Sequence, residues 1–412
     1  MPFPPRSRSS AAAGRAVARR SVRSALSASA GVAVALVAAS LSTHNLAAQG
    51  TSGTSSQPAV SGTAAQSSPV ARYPLAPTPV LDARILTPGP AFSGYLSARS
   101  TRRNDSTANA INRARITVMG MPYRGLAYRL QADFSAATRI QRDSSVPASV
   151  LTDAYVQLFY ATRTNTDSTS PRATLMPLAA LAPALIVGQF RVPFSLEYLT
   201  PFSLMLTANR SLAVDRLSPR RDIGVMAQVR LTRFAVLMGS VTNGEGPNQP
   251  RNPDNKELAS GRLVLRPLPS LALAGKWAGA GADHYWGYDG RWLWRAVTLE
   301  GEVIRRTGRA PGSTAAVPAR PAPPGAPGYD ASGGYALAAW RVVPWLEPVV
   351  KWEQLRERTA ATPQARDTWV TPGVVLRGLS DRARFHVNWI VKRARPVSRR
   401  ANELQAQLVA IF

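Results

Sequence analysis

From Ala91 to Phe412 the chain repeats one unit: a stretch of roughly ten residues in which polar and apolar side chains alternate, then a gap, then another such stretch. Alternation with period two places successive side chains on opposite faces of a strand. In "DRARFHVNWIVKR", Arg382, Arg384, His386, Asn388 and Lys392 share one parity; Ala383, Phe385, Val387, Trp389 and Val391 share the other. "RDIGVMAQVRL" sets Asp222, Gly224, Gln228 and Arg230 against Ile223, Val225, Ala227, Val229 and Leu231. Short, turn-like gaps occur at "MPYRG", "LTR", "RPLPS", "YDGR" (288–291), "VVPW" and "GLSDR". Longer polar gaps fall between them, at 100–110, 135–150, 242–257, 307–331, 356–367 and 393–400. Two gaps break the rule, a long one at 162–182 and a short one near 279–282. The pattern predicts an all-β protein: a transmembrane up-and-down antiparallel β-barrel of about 16 strands, with short periplasmic turns and longer external loops. A barrel of that size holds an aqueous channel. A soluble sandwich fits poorly, because its inner faces must be apolar, and here one parity is rich in arginine.

Charge narrows the function classes. The 412 residues include no Cys, and 50 basic side chains face 23 acidic ones, for a formal charge of +27. Lys256, Lys276, Lys351 and Lys392 are the only lysines, so nearly all of that charge is arginine. Such a balance suggests nucleic acid as a partner. The arginines are spread along the whole chain rather than gathered on one segment, so no nucleic-acid partner is expected. A soluble basic protein remains a reading that extraction without detergent would reveal. Residues 1–48 read as an export signal: Arg6, Arg8, Arg15, Arg19, Arg20 and Arg23 precede the short apolar run Gly31–Leu41 and the small-residue site Leu46-Ala47-Ala48. Arg19-Arg20 fits an ordinary basic leader better than the twin-arginine route. Residues 49–90, rich in Ser, Ala and Pro, read as a flexible segment. The barrel is expected over 91–412.

In "ELQAQLVAIF" (403–412), Leu404, Leu408 and Phe412 share the lipid-facing parity, and Glu403, Gln405 and Gln407 the other. A last strand that pairs with the first has no frayed edge. The aromatic Phe412 then sits at the membrane interface and is expected to serve as the label read by the barrel assembly machinery.

"ALIVGQFRVPFSLEYLT" (184–200) resembles the phosphate-selective porin O and P family, whose members carry a Gly-Gln-Phe-Lys/Arg-x-Pro-Phe-Ser/Gly-x-Glu stretch. Gly188, Gln189, Phe190, Arg191, Pro193, Phe194, Ser195 and Glu197 occupy it here. "NRSLAVDRLSPRRDIGVMAQ" (209–228) and "SGRLVLRPL" (260–268) extend the likeness, as do "NRARITVMG" and "LTDAYVQLFY". The resemblance implies an outer-membrane channel passing small anions such as phosphate. It departs from the family in lacking the lysine-rich vestibule; arginine can replace lysine as a bidentate phosphate donor.

Residues 191–221 are expected to fold into the lumen as a pore-constricting loop, with Arg210, Arg216, Arg220 and Arg221 at the water and Arg191 a further pore-lining candidate. Ion pairing of these arginines with Glu197, Asp215 and Asp222 is the competing reading. Arg113, Arg115, Arg230, Arg262, Arg382 and Arg384 are candidate wall residues, a ring that would raise the local anion concentration. Glu300, Glu302, Glu347 and Glu353 read as charge partners of arginine. Tyr285, Trp286, Tyr288, Trp292 and Trp294 read as a membrane-interface belt. "NPDNKE" (252–257) and the scattered His44, His284 and His386 have no metal-site spacing. No cofactor, metal or enzymatic chemistry is expected. The function read from the chain is an outer-membrane diffusion porin with anion preference, as a homotrimer by analogy with other sixteen-strand porins. The alternative is a binding or adhesion barrel with a plugged lumen, whose loops, such as 310–328, meet a partner.

Overall fold

The computed structural model describes residues 73–82, 86–104, 106–135, 150–159, 182–252, 255–310, 325, 327–360, 362–395 and 399–412. The expected leader, residues 49–72 and most of 310–328 lie outside them. Sixteen strands run in order: β1 Ala91–Arg103, β2 Ser106–Tyr123, β3 Leu126–Asp133, β4 Leu151–Phe159, β5 Ala184–Arg191, β6 Arg221–Thr232, β7 Ala235–Thr242 and β8 Leu258–Leu268. They continue with β9 Leu271–Ala280, β10 Asp283–Trp294, β11 Val297–Gly308, β12 Tyr329–Trp340, β13 Leu346–Thr359, β14 Thr362–Gly378, β15 Ala383–Arg395 and β16 Arg399–Ile411. Each pairs antiparallel with its sequence neighbours, and β16 pairs with β1, so the sheet closes into a barrel without an edge.

The burial pattern is inverted relative to a soluble protein. Arg262, Lys276, Asp289 and Glu302 are buried inside, while Leu130, Trp277, Val303, Trp340 and Trp389 are among the large apolar side chains exposed outside. A continuous exposed apolar band on a closed barrel is a lipid-facing surface. Trp286, Tyr288, Trp292 and Trp294 lie on it as expected, but Tyr285 has the opposite parity and is buried in the lumen against Phe194.

The connections differ from the expected gaps in several places. The stretch at 100–110 is strand: β1 and β2 pair down to Arg103↔Ser106. The stretch at 356–367 likewise belongs to β13 and β14, which pair to Thr359↔Thr362, and only 396–398 separate β15 from β16. These strand ends rise beyond the apolar band, where both faces are wet, so the polarity signal ends before the hydrogen-bonded ladder does. "YDGR" (288–291) lies within β10; the turn falls instead after Trp294, at Arg295, whose φ is +51°.

The last part of the segment expected to be flexible is fastened inside the barrel at the end bearing the short turns. Tyr73 donates its hydroxyl to Glu300 at 3.0 Å, and the Arg291 guanidinium stacks over its ring at 4.2 Å. Thr78 bonds Gln228 at 2.7 Å, and the Tyr155 hydroxyl donates to the Pro79 carbonyl at 2.7 Å. The Gln157 amide both accepts from Leu81 N–H and donates to Leu81 C=O. A proline-rich backbone offers carbonyls and few donors, and the polar lumen wall satisfies them. Composition alone does not reveal such a partner.

Closure of the barrel reaches the final residue. Phe412 N–H donates to Gly94 C=O at 3.0 Å, and Gly94 N–H donates to Phe412 C=O at 2.9 Å. A Cβ on Gly94 would meet the Phe412 ring at 2.6 Å, so glycine is needed for this close approach. Phe412 is 66% exposed on the lipid side, with Leu404. Replacing Phe412 with Asp is expected to reduce the heat-modifiable, protease-resistant protein in outer-membrane fractions. A lipid-facing charge costs about 2–4 kcal/mol at mid-bilayer and less near the interface, and it falls on the seam between β16 and β1. Accumulation at the wild-type level would contradict this account of the seam.

Candidate functional site

The connection from β5 to β6, residues 192–220, turns into the lumen. Phe194, Leu196, Leu212 and Leu217 on it are fully buried, which an exposed loop could not support. Two short helices shape it, α1 Leu196–Leu199 and α2 Leu212–Leu217. Each starts at a serine N-cap: Ser195 Oγ accepts from Tyr198 N–H and Ser211 Oγ from Val214 N–H. α2 lies against β12, where a Cβ on Gly333 would meet Ala213 at 2.9 Å. Between the helices the chain crosses the lumen. Thr200 accepts from Arg291, Ala208 N–H donates to Asn388, and Asn209 donates to Gln405.

The loop divides the lumen wall into two sides of different charge. Behind it, on β8–β13, the charges cancel. Asp289 receives Arg262 at 2.6 and 2.7 Å and Lys276 at 3.0 Å, and Lys276 also bonds Glu302. Arg291 pairs with Glu300, Lys351 with Glu353 and Glu197, and Arg216 with Glu357. Ser195 Oγ and Glu197 N–H both donate to Glu302, which ties α1 to this network.

On the opposite side, facing β1–β6, arginine is in surplus. Arg115 pairs with Asp133 at 2.8 Å, while Asp153 is shared by Arg129 at 3.2 Å and Arg221 at 2.6 Å. Arg113, Arg191 and Arg210 stand among these groups and form no salt bridge among the described residues. Arg113 Nε, Arg191 Nε and Arg210 Nη2 are buried donors without a hydrogen-bond partner there. Aromatic rings hold the guanidiniums in place: Arg113 lies 4.3 Å from the Phe202 centroid, and Arg210 lies 4.6 Å from that of Tyr198. Other nitrogens of the three donate to backbone carbonyls, Arg113 to Asn112, Arg191 to Leu199 and Arg210 to Glu197, but a buried cation without a counter-ion is costly.

The expected site residues therefore separate. Arg113, Arg115, Arg191, Arg210 and Arg221 come together. Arg210 and Arg221 do so as buried groups rather than at free water. Arg216 and Arg262 are also buried, but as parts of ion-pair networks. Arg384 is buried at the wall and donates to Ser203 C=O, and Arg220 is exposed and donates to Asp215 C=O. Arg230 is exposed near the β6–β7 turn. Arg382 is not a wall residue: it caps the 3-10 turn Leu379–Asp381 before β15 and is exposed. Among the described residues no salt bridge joins the loop arginines to Glu197, Asp215 or Asp222: Arg210 and Arg220 reach only the backbone carbonyls of Glu197 and Asp215, and the Asp222 carboxylate accepts from Ile223 and Gly244 N–H. Glu300, Glu302, Glu347 and Glu353 are all charge partners of basic groups. Sequence reasoning missed Tyr198 and Phe202 as platforms, because apolar loop residues carry no mark of what stacks on them. It also missed Arg129, whose inward parity with Gln131 and Asp133 was the available signal.

Burial raises the Glu197 carboxyl to about 7, against the opposing pull of Lys351 and of the Ser211 N–H that it accepts at 2.6 Å. The folded value lies above the ordinary carboxylate range, so Glu197 is neutral below about pH 7 and adds a negative charge as pH rises. The anion-to-cation permeability ratio should therefore fall between about pH 5.5 and 8.5. The expected change is about twofold, since one charge at roughly 8 Å in water contributes about 0.5 kcal/mol. Glu197→Gln should remove the pH step in the reversal potential; an unchanged step would assign it to another group.

Residues 92–298, half of the chain, match the family described as phosphate-selective porin O and P. No curated protein matches the chain. Among solved structures it is similar to the Salmonella typhi OmpF complex with daunomycin, at 9% identity over 78% of this chain and 97% of that one, with a TM-score of 0.55. It is similar also to an anion-selective porin from Comamonas acidovorans, at 10% identity over 79% and 99%, with a TM-score of 0.52. The trimer form of Vibrio cholerae OmpT matches at 11% identity over 79% and 99%, also at 0.52. At these identities the likeness establishes the fold alone. The chain belongs to the phosphate-selective porin O and P family.

Proposed function

We propose that this outer-membrane diffusion channel prefers anions, and that Arg113, Arg191 and Arg210 form the station at which they pass the inward-folded loop. The observation that carries the reading is that Arg113, Arg191 and Arg210 form no salt bridge among the described residues and each keeps a buried nitrogen without a partner, beside the paired Arg115 and Arg221. Guanidinium forks match phosphate and carboxylate oxygens bidentately. Water-excluded surroundings strengthen each contact. Passage needs several such contacts of moderate strength rather than one tight site, and Arg115, Arg221 and Arg384 continue the path. On this reading the protein acts by passage and not by catalysis, residues 1–48 direct export, and the barrel works as a homotrimer. The trimer form of Vibrio cholerae OmpT supports the last point. Single-channel chloride conductance with added phosphate is the test. Phosphate should lower the chloride current saturably at constant ionic strength, and a current indifferent to phosphate would sink the reading.

A further inference from the structure

At the turn end of the barrel lies a cavity of about 920 Å³, separate from the loop station. Its lining shares no residue with the Arg113, Arg191 and Arg210 cluster. One wall is the fastened segment 76–82, held by Gln228, Tyr155 and Gln157; the others are the inner faces of β6–β8 and the adjoining turns. Arg230 of β6 and Arg266 of β8 point in with the lumen parity, are exposed, and stand within electrostatic reach of each other. Arg124 and Arg233 enter from the β2–β3 and β6–β7 turns, and Asp82 is the one acid among the described lining residues.

The remaining surface is of the opposite kind. Met121, Phe159, Phe234, Val236, Met238 and Val264 line the same space. The register explains the juxtaposition. Arg230 pairs across to Val236, and Val236 to Val264, so apolar side chains flank the charged row along one layer of the wall. Arg233 already lies over an aromatic, its guanidinium 4.5 Å from the Phe234 centroid. The volume is in the range of ligand pockets, about 300–1,000 Å³. A small inorganic anion would leave the apolar wall wet. A neutral apolar molecule would do the reverse.

We propose that this cavity binds an amphipathic organic anion, a carboxylate on an aromatic-sized apolar body, with Arg230 and Arg266 on the carboxylate and the Val236–Val264 wall on the body. The cavity would thereby hold such solutes at the turn end, apart from the path of small anions.

Isothermal titration calorimetry on the purified full-length barrel in non-ionic detergent tests this, with 3-phenylpropionate, the neutral 3-phenylpropanol and inorganic phosphate as probes. Phenylpropionate should bind saturably and the alcohol should not. The Arg230→Gln/Arg266→Gln variant should weaken phenylpropionate at least about tenfold, since two charge-assisted contacts are lost. It should leave phosphate binding unchanged. Val236→Trp fills the apolar side without touching charge and should weaken phenylpropionate as well, which covers the case in which the double variant fails to fold as judged by heat-modifiable mobility. Arg113→Gln/Arg210→Gln should spare phenylpropionate and weaken phosphate. Any one of three results would overturn the proposal: equal binding of the alcohol, indifference of phenylpropionate to both cavity variants, or loss of its binding only in the Arg113/Arg210 variant. The phosphate arm reports separately on the loop station.

Discussion

Replacing Lys276 with Met should destabilise the folded barrel by about 3–5 kcal/mol, the cost of breaking a buried ion pair from one side. The Lys276 side chain is wholly buried, with Nζ 3.0 Å from Asp289 and bonded also to Glu302. Arg262 still holds Asp289 when the lysine is gone. Among the described residues Glu302 then keeps only dipoles close by, Ser195 Oγ at 3.0 Å and Glu197 N–H at 3.2 Å, and these anchor the first turn of the lumen loop. An uncompensated carboxylate therefore appears where the loop meets the wall. Lys392→Met is the control: its partner Glu403 also receives Arg103, and Lys392 is partly exposed, so the loss there should stay under about 1 kcal/mol. Urea-unfolding midpoints in lipid vesicles would show the difference. If the two variants unfold together, the paired network on β8–β13 does not hold the loop.

The second large effect concerns permeation. Changing Arg113, Arg191 and Arg210 together to Gln should lower the anion-to-cation permeability ratio roughly tenfold. Each unit charge acting on an ion about 8 Å away in water contributes about 0.5 kcal/mol, and three together about 1.5 kcal/mol. Glutamine keeps donors at the site, so the loss reports charge rather than shape. Arg262→Gln makes the contrast. Arg262 is more buried than any of the three, but Asp289 neutralises it, so its removal should cost stability and leave selectivity nearly unchanged. Equal selectivity loss in both variants would show that the field of the whole barrel, and not this cluster, sorts ions.

The barrel was legible because a lipid-facing strand must alternate, and Phe385, Val387 and Trp389 kept to one parity opposite Arg384, His386 and Asn388. Strand ends such as Arg102–Arg103 were not, since beyond the apolar band both faces are polar and only the hydrogen-bonded ladder continues. Parity also placed Arg113, Arg115 and Arg262 inside, yet it could not say which of them would find an acid. Arg262 meets Asp289 from a strand two positions along the sheet, and Arg113 meets the Phe202 ring from a loop 89 residues on in the chain. That sorting depends on register and on the course of the loop, neither of which leaves a local trace. The hold on Tyr73–Leu81 was hidden for the same reason: its partners Gln157, Gln228 and Arg291 lie on distant strands.

The central claim, a channel whose uncompensated arginines favour anions, meets its most direct test in the reversal potential of the wild-type protein in a planar bilayer under a potassium chloride gradient. The account predicts a potential of the sign set by chloride, shrinking toward zero in the Arg113→Gln/Arg191→Gln/Arg210→Gln variant. A wild-type potential of the sign set by potassium would contradict it.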